Sequence, residues 1–252
     1  MNNAALEAGT VVPAWPAPKS VRAFSTTRRL PGLSLPPYDA FNLGLRSGED
    51  EGIVRANREL LRRAFALPSA PRWLHQVHGD RSLRLTEELI DGEPEADAVF
   101  TAQPGVVLAI LSADCLPILV CNEDGSEVAA LHAGWRGLSQ GVIESCLRRL
   151  RGPPDRLLVW LGPAIGARSY EVGADVRAAF VERSDQAAMA FASTRPGHWH
   201  CDLYTLARQR LAALGATRVY GGDFDTFADA RLYSYRRDGA RSGRFASLIY
   251  IS

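Results

Sequence analysis

Cys115 and His132 are the two residues whose types and spacing first suggest chemistry. The chain has four cysteines, at 115, 121, 146 and 201, and five histidines, at 75, 78, 132, 198 and 200. A thiolate and an imidazole joined by a third nitrogen would hold a single soft divalent ion, and the vacant fourth position is the arrangement of catalytic rather than structural zinc. Without a metal, the same two groups form a thiolate–imidazolium pair, with Asp114 or another carboxylate orienting the ring, which is the logic of a cysteine hydrolase. A buried cysteine beside a hydrogen-bonded histidine is the purely structural alternative. The spacing matches no local zinc motif and leaves all three open.

Other candidates are weaker. His198-Trp199-His200-Cys201 sets two imidazoles at i and i+2 on one face of a strand, but it follows an exposed Ser-Thr-Arg-Pro-Gly stretch and reads as surface histidines flanking a buried Trp. Cys121 and Cys146 fall on a strand and on the apolar side of a helix, where a small hydrophobe is the default. Multicopper chemistry needs many imidazoles in closely spaced pairs, and five histidines do not furnish that set.

The elements around Cys115 and His132 decide whether they can meet. Gly105 to Cys121 is the most apolar stretch; Pro117 rules out a helix, so it splits at Ser112 to Asp114 into two short strands. Asp124-Gly125 is a hairpin turn, and Glu127 to His132 returns as a strand. If those two residues are the centre of the turn, Cys115 lies opposite Gly134 and His132 is its diagonal neighbour on the same face, roughly 7–8 Å away at the backbone. A slip of one residue would separate them.

After His132, Ala-Gly-Trp-Arg-Gly leads into a helix predicted from Leu138 to Leu150, and small residues at that junction would let backbone amides approach an anion. Elsewhere the spacing predicts a loop from Gly32 to Gly44, a helix over Ile53 to Phe65 and a strand over Arg72 to Val77. Beyond the junction it predicts a strand at Leu157 to Leu161, a loop from Gly162 to Gly173 and helices near Ala174 to Phe191 and Leu203 to Leu214. Strands at Thr217 to Tyr220 and Phe245 to Ile251 complete the chain. Strands arriving by hairpin and through helices imply α+β, one domain with a mixed sheet flanked by helices. Residues 20–252 form that domain, and 1–19, rich in Pro and Ala from Val11 to Pro18, an extended arm.

Composition narrows the classes further. The chain has 252 residues, 46% hydrophobic and 23% charged, with Lys+Arg 29 against Asp+Glu 28. It is an ordinary globular composition with no basic field for nucleic acid. No apolar run reaches the roughly 20 residues of a membrane span, and no signal-like start is present, so a cytoplasmic protein with reduced thiols is expected. Nothing demands an assembly, and a monomer is expected.

Six motifs, in order, carry a resemblance. They are His75-Gln-Val-His78-Gly, Ser112-Ala-Asp-Cys115-Leu-Pro, Leu131-His132-Ala-Gly-Trp-Arg-Gly137, Gly162-Pro-Ala-Ile-Gly166, Tyr170-Glu-Val-Gly173 and Tyr233-Ser-Tyr-Arg-Arg-Asp238. Together they resemble the family once labelled multicopper polyphenol oxidase or laccase, whose members are described as purine nucleoside phosphorylases and also as peptidoglycan editing factors. The likeness runs from about Phe24 to Ile251.

The resemblance implies a zinc held by His78, Cys115 and His132, with copper the alternative ion; His75 lies outside that set. It implies phosphorolysis of adenosine, inosine, guanosine and methylthioadenosine, with adenosine deamination alongside, so purine nucleosides and inorganic phosphate are the expected partners. For the phosphate, Arg136 at the helix start is the first candidate, with Arg236 and Arg244 behind it. Asp114 would shuttle protons, orient a ligand or cap a turn. Asn42, a further family position, is a substrate-binding candidate or structural; Arg58 resembles another family position, with a structural role expected. Two departures leave the ligands untouched: Asp225 stands where many relatives carry Cys, and Ser242-Gly-Arg244 replaces Thr-Gly-Arg. Two other classes stand beside this reading: a Cys–His hydrolase that edits peptidoglycan precursors, and a non-enzymatic metal-binding regulator.

Overall fold

The computed structural model describes residues 8–85 and 92–252. The chain runs through β1 (Thr10–Val11), β2 (Val21–Thr26), α1 (Glu51–Ala64), β3 (Ser82–Arg84), β4 (Ala98–Thr101), β5 (Leu108–Ser112), β6 (Leu116–Asn122) and β7 (Val128–Ala133). It continues with α2 (Trp135–Gln140), α3 (Val142–Leu147), β8 (Leu157–Leu161), β9 (Glu171–Gly173), α4 (Ala174–Val181), β10 (Phe191–Arg195) and β11 (His198–Cys201). It ends with α5 (Leu203–Ala213), β12 (Arg218–Gly221), α6 (Tyr235–Asp238) and β13 (Phe245–Ile251).

Period-two alternation builds four layers. A six-stranded mixed sheet, in the order β12-β8-β6-β7-β4-β3, turns Leu116, Ile118 and Val120 toward the helices and Leu119 and Cys121 toward a second sheet. That second sheet, β1-β2-β13-β5, presents Leu108, Ile110, Ile249 and Ile251 to the first, and Val107, Ala109, Ala246 and Leu248 to the layer that contains α1. Strands covered on both faces have no polar side, which is why β6 reads as an unbroken apolar run. A three-stranded sheet, β10-β11-β9, lies outside these layers. The fold is α+β and a single domain, as expected.

The apolar stretch divides where its polar break predicts, between β5 and β6. The β6–β7 hairpin takes the expected register, with Leu116 opposite Ala133 and Pro117 opposite His132. Cys115 and His132 therefore face the gap between the two large sheets, at one end of it.

Several elements differ from expectation. The single helix at Leu138 to Leu150 is two, because Gly141 adopts φ +111, a left-handed conformation that glycine tolerates and that breaks the helical path. The helix from Ala174 stops at Val181; a 3-10 segment (Asp185–Ala190) and β10 follow it. Arg72 to Val77 is no regular strand and joins its neighbours by single bridges, Arg72 to Leu108 and His75 to Glu95. Residues 1–7 of the proposed arm lie outside the described residues. The rest of it is not free: Thr10–Val11 pairs with β2, and Trp15 and Ala17 pack on the inter-sheet core. Among the described residues no helix is long and apolar enough to cross a membrane.

Candidate metal centre

Three stretches of backbone meet at the end of the sheet sandwich. The donor atoms of His78, Cys115 and His132 all lie within 4.8 Å of one another. His132 comes from the end of β7, Cys115 from the turn before β6, and His78 from the loop after Leu74. The imidazoles of His78 and His132 stand edge to face, with centroids 4.8 Å apart.

Asp97 organises this convergence. It precedes β4, whose pairing with β7 sets Ala98 against Leu131, and the His132 amide donates to the Asp97 carbonyl at 2.7 Å. The Asp97 carboxylate, fully buried, binds Nδ1 of His132 at 2.8 Å and accepts the backbone amides of Val77, His78 and Gly79 at 3.1, 3.0 and 2.8 Å. Those three amides hold His78 at φ +61, a conformation seldom adopted by residues other than glycine. Burial pushes the Asp97 carboxyl up, but the His132 ring and the amides outweigh it and hold it below the ordinary range. With Nδ1–H directed at Asp97, Nε2 of His132 is left as the electron-pair donor.

The donor set fits one ion. Bonds of about 2.0–2.3 Å would draw the three atoms slightly inward, and a thiolate with two imidazoles suits a borderline-soft divalent metal. Gly134 makes the approach sterically feasible: a Cβ there would sit 2.8 Å from Cys115 Sγ and 3.1 Å from His78 Cδ2. A Cβ at Gly137 would meet the Gly79 carbonyl oxygen at 2.6 Å. The small residues expected to admit an anion at the helix start thus seat the His78 loop.

Charge follows the same geometry. Burial raises the Cys115 thiol, but His132 and His78 more than offset it and bring it down to about 6. Burial lowers His132, and the Cys115 and Asp97 charges carry it up to about 9. In the metal-free pair each charge favours the other, which shifts the balance toward thiolate and imidazolium. Burial pushes Cys121 and Cys146 up to about 12 and Cys201 higher still, so those thiols stay protonated and inert.

The other expected residues separate into those that face the cavity and those that do not. A cavity of about 560 Å³ is lined by the three metal-site residues, Asp114, Arg136, Arg236 and Arg244, together with Arg46, Trp135, Tyr170 and Tyr235. Asp114, at φ +90, accepts the Thr226 hydroxyl and the Arg236 amide, both at 2.6 Å, and so ties the Cys115 turn to the start of α6. Asn42 is fully buried and absent from the cavity wall. Its Oδ1 accepts the amides of Gly44 and Arg244, so it holds the backbone that carries Arg244. Arg58 donates to the Leu43 carbonyl and Glu93, and its guanidinium covers Trp73.

Arg136 is exposed and stacks on Trp135; Arg236 is exposed and donates to the Glu171 carbonyl. Arg244 is partly buried, and its Nη1 donates to the Ser242 and Gly243 carbonyls. Among the described residues it has no carboxylate partner, and its Nε and Nη2 are unpaired. His198 and His200 bind the carbonyls of Pro196 and Ala167 away from this centre, and Trp199 between them is half-buried. Asp225 accepts the Ser169 hydroxyl and the Gly166 amide, bracing the Gly162 to Gly166 loop.

The family model described as multi-copper polyphenol oxidoreductase laccase matches residues 22–252. The chain belongs to that laccase-like family. Relatives similar to it include a Xylella fastidiosa (strain 9a5c) protein named purine nucleoside phosphorylase, 51% identical over 94% of this chain and 95% of that protein. The Escherichia coli (strain K12) purine nucleoside phosphorylase YfiH is 48% identical over 96% of this chain and 98% of that one. Among solved structures, Neisseria meningitidis protein NMB0706 superposes with TM-score 0.92 at 40% identity, covering 97% of this chain and 99% of that one.

Proposed function

We propose that this chain is a zinc-dependent purine nucleoside phosphorylase. It takes adenosine, inosine, guanosine or methylthioadenosine with inorganic phosphate to the free base and the corresponding ribose 1-phosphate, and also deaminates adenosine. The observation that carries this reading is one cavity in which His78, Cys115 and His132 meet Arg136, Arg236 and Arg244. Similarity to proteins named purine nucleoside phosphorylase supplies the substrate class. Four free thiols suit the cytoplasm, which belongs to the same reading.

His78, Cys115 and His132 would hold the ion. When bound, it supplies Lewis acidity and lowers the pKa of water toward neutrality, the property that attack on adenine C6 needs. Asp97 keeps the His132 ring in one tautomer and orientation. Arg244 binds phosphate: a half-buried guanidinium with two unpaired nitrogens and no carboxylate partner gains more from an incoming anion than the exposed Arg136 and Arg236. Position at the helix start favours Arg136, but its exposure favours Arg244 over it. Asp114, with both carboxylate oxygens engaged, is a positioning residue.

Purified protein incubated with adenosine, with and without phosphate, tests the reading through adenine, ribose 1-phosphate, inosine and ammonia. Phosphate-dependent adenine is the expected product; no product in either tube would remove the nucleoside reading and favour a metal-binding regulator. The Cys115–His132–Asp97 alignment favours a second reading, a cysteine hydrolase. That enzyme would keep its activity in a chelator and lose it to an alkylating reagent.

A further inference from the structure

Buried phenols are normally paired, because an unbonded hydroxyl away from water forfeits a hydrogen bond. Tyr204 and Tyr233 obey this: the Tyr204 hydroxyl binds the Ala164 amide at 2.8 Å and the Gly162 carbonyl at 3.1 Å, and that of Tyr233 binds the Phe41 amide and the Tyr38 carbonyl. Tyr170 is different in kind: it is only half-buried, and its hydroxyl is open to the cavity rather than sealed in the core. Its ring packs against the main core, the Arg236 guanidinium lies 5.3 Å from the ring centroid, and its hydroxyl has no hydrogen-bond partner among the described residues. It lines the same cavity as Cys115 and Arg244.

We infer that the Tyr170 hydroxyl is a catalytic residue that touches the purine and gives it a proton as the base departs. This rests on the phosphorolysis reading. The C1′–N9 bond breaks with its electron pair going to the purine, a phosphate oxygen bonds to C1′, and the purine takes the Tyr170 proton at N7. Hydrogen phosphate loses one proton in forming the ester, and that proton restores the phenol, directly or through water. The sum is nucleoside plus hydrogen phosphate to neutral base plus ribose 1-phosphate. Tyr170 suits this task because nothing in the fold competes for its hydroxyl and the ring is clamped between Arg236 and the core.

The experiment compares guanosine with 7-methylguanosine, whose methylated base leaves without taking a proton. Tyr170→Phe, with metal content and melting temperature checked, should lose roughly 100-fold in kcat on guanosine while changing KM little, and lose less than about threefold on 7-methylguanosine. Tyr170→His, which keeps a ring and a donor, should recover part of the guanosine rate. Equal losses on the two nucleosides, or no loss on guanosine, would overturn the role of Tyr170 and leave phosphorolysis standing. A wild-type protein that forms no ribose 1-phosphate from either would remove both.

Discussion

Asp97 and His132 are cross-strand neighbours joined twice, by the His132 amide on the Asp97 carbonyl at 2.7 Å and by the carboxylate on Nδ1 at 2.8 Å. The same carboxylate gathers the amides that shape the His78 turn, so one buried charge orients two of the three candidate ligands. Asp97→Asn keeps the shape but removes the charge and one acceptor oxygen. Zinc affinity should fall about 10- to 100-fold, and activity at limiting zinc should fall with it, as read by competition with a chromophoric chelator. Unchanged affinity would mean that the ring is held by packing alone.

Gly134 lies beneath the ligands, and its substitution tests how tightly they are packed. An alanine Cβ 2.8 Å from Cys115 Sγ must push either the sulfur or the β7 end aside. Gly134→Ala is expected to cost about 1–3 kcal/mol of stability and to weaken metal binding. Denaturant unfolding of the metal-free protein isolates the first effect, and metal titration the second. A variant as stable and as tight-binding as the parent would show that the site yields easily.

What was legible in the sequence was what short-range rules govern. The turn between β6 and β7 closes with the Gly125 amide on the Asn122 carbonyl, so Glu123 and Asp124 rather than Asp124 and Gly125 are its centre. The register is nonetheless the expected one and brings Cys115 beside His132 with no knowledge of the rest of the fold. His78 came only from the motif resemblance, because its position depends on a loop held from outside. Asp97 went unseen for the same reason: it meets His132 through the β4–β7 pairing, 35 positions apart, and no local pattern announces that register. A buried aspartate just ahead of the apolar Ala98 to Phe100 run was the one available signal. Asn42 is a candidate only through the motif resemblance, and its full burial beneath Gly44 and Arg244 is a long-range property that its neighbours in sequence do not announce. The helix broken at Gly141 shows an apolar stripe outvoting a single glycine whose left-handed conformation only the packed chain reveals.

Glu93 gives the fold an acid-sensitive clasp. Its carboxylate bridges Arg58 and Arg46, each at 2.6 Å, and the Arg58 and Glu93 side chains are only 10% and 13% exposed. Burial opposes ionisation, but the hydrogen bonds and charges of the two arginines win, and the carboxyl lies below its ordinary value of 4.5. A carboxyl lowered on folding adds stability at pH above that ordinary value, and the contribution disappears as pH falls through the folded value. Glu93→Gln should therefore lose roughly 3–5 kcal/mol at neutral pH and show a shallower decline on acidification below about pH 4.5. Parallel stability curves for the two proteins between pH 3 and pH 7, with roughly constant separation, would show that Glu93 does not govern the acid limb.

Removing the metal separates the two chemistries that Cys115 could support. A zinc enzyme should lose turnover on dialysis against a strong chelator and regain it on adding zinc back, and the bound ion should shield the thiolate from iodoacetamide. Cys115→Ala should lose both zinc and turnover, since two imidazoles remain to hold an ion that the sulfur helped to grip. Cys115→Ser offers a harder oxygen at the same place and should bind zinc more weakly than the parent, with metal content by mass spectrometry as the measure. A metal-free enzyme with full activity that iodoacetamide abolishes would instead assign the work to the thiolate, with His132 as its base and Asp97 as the group that aims the ring.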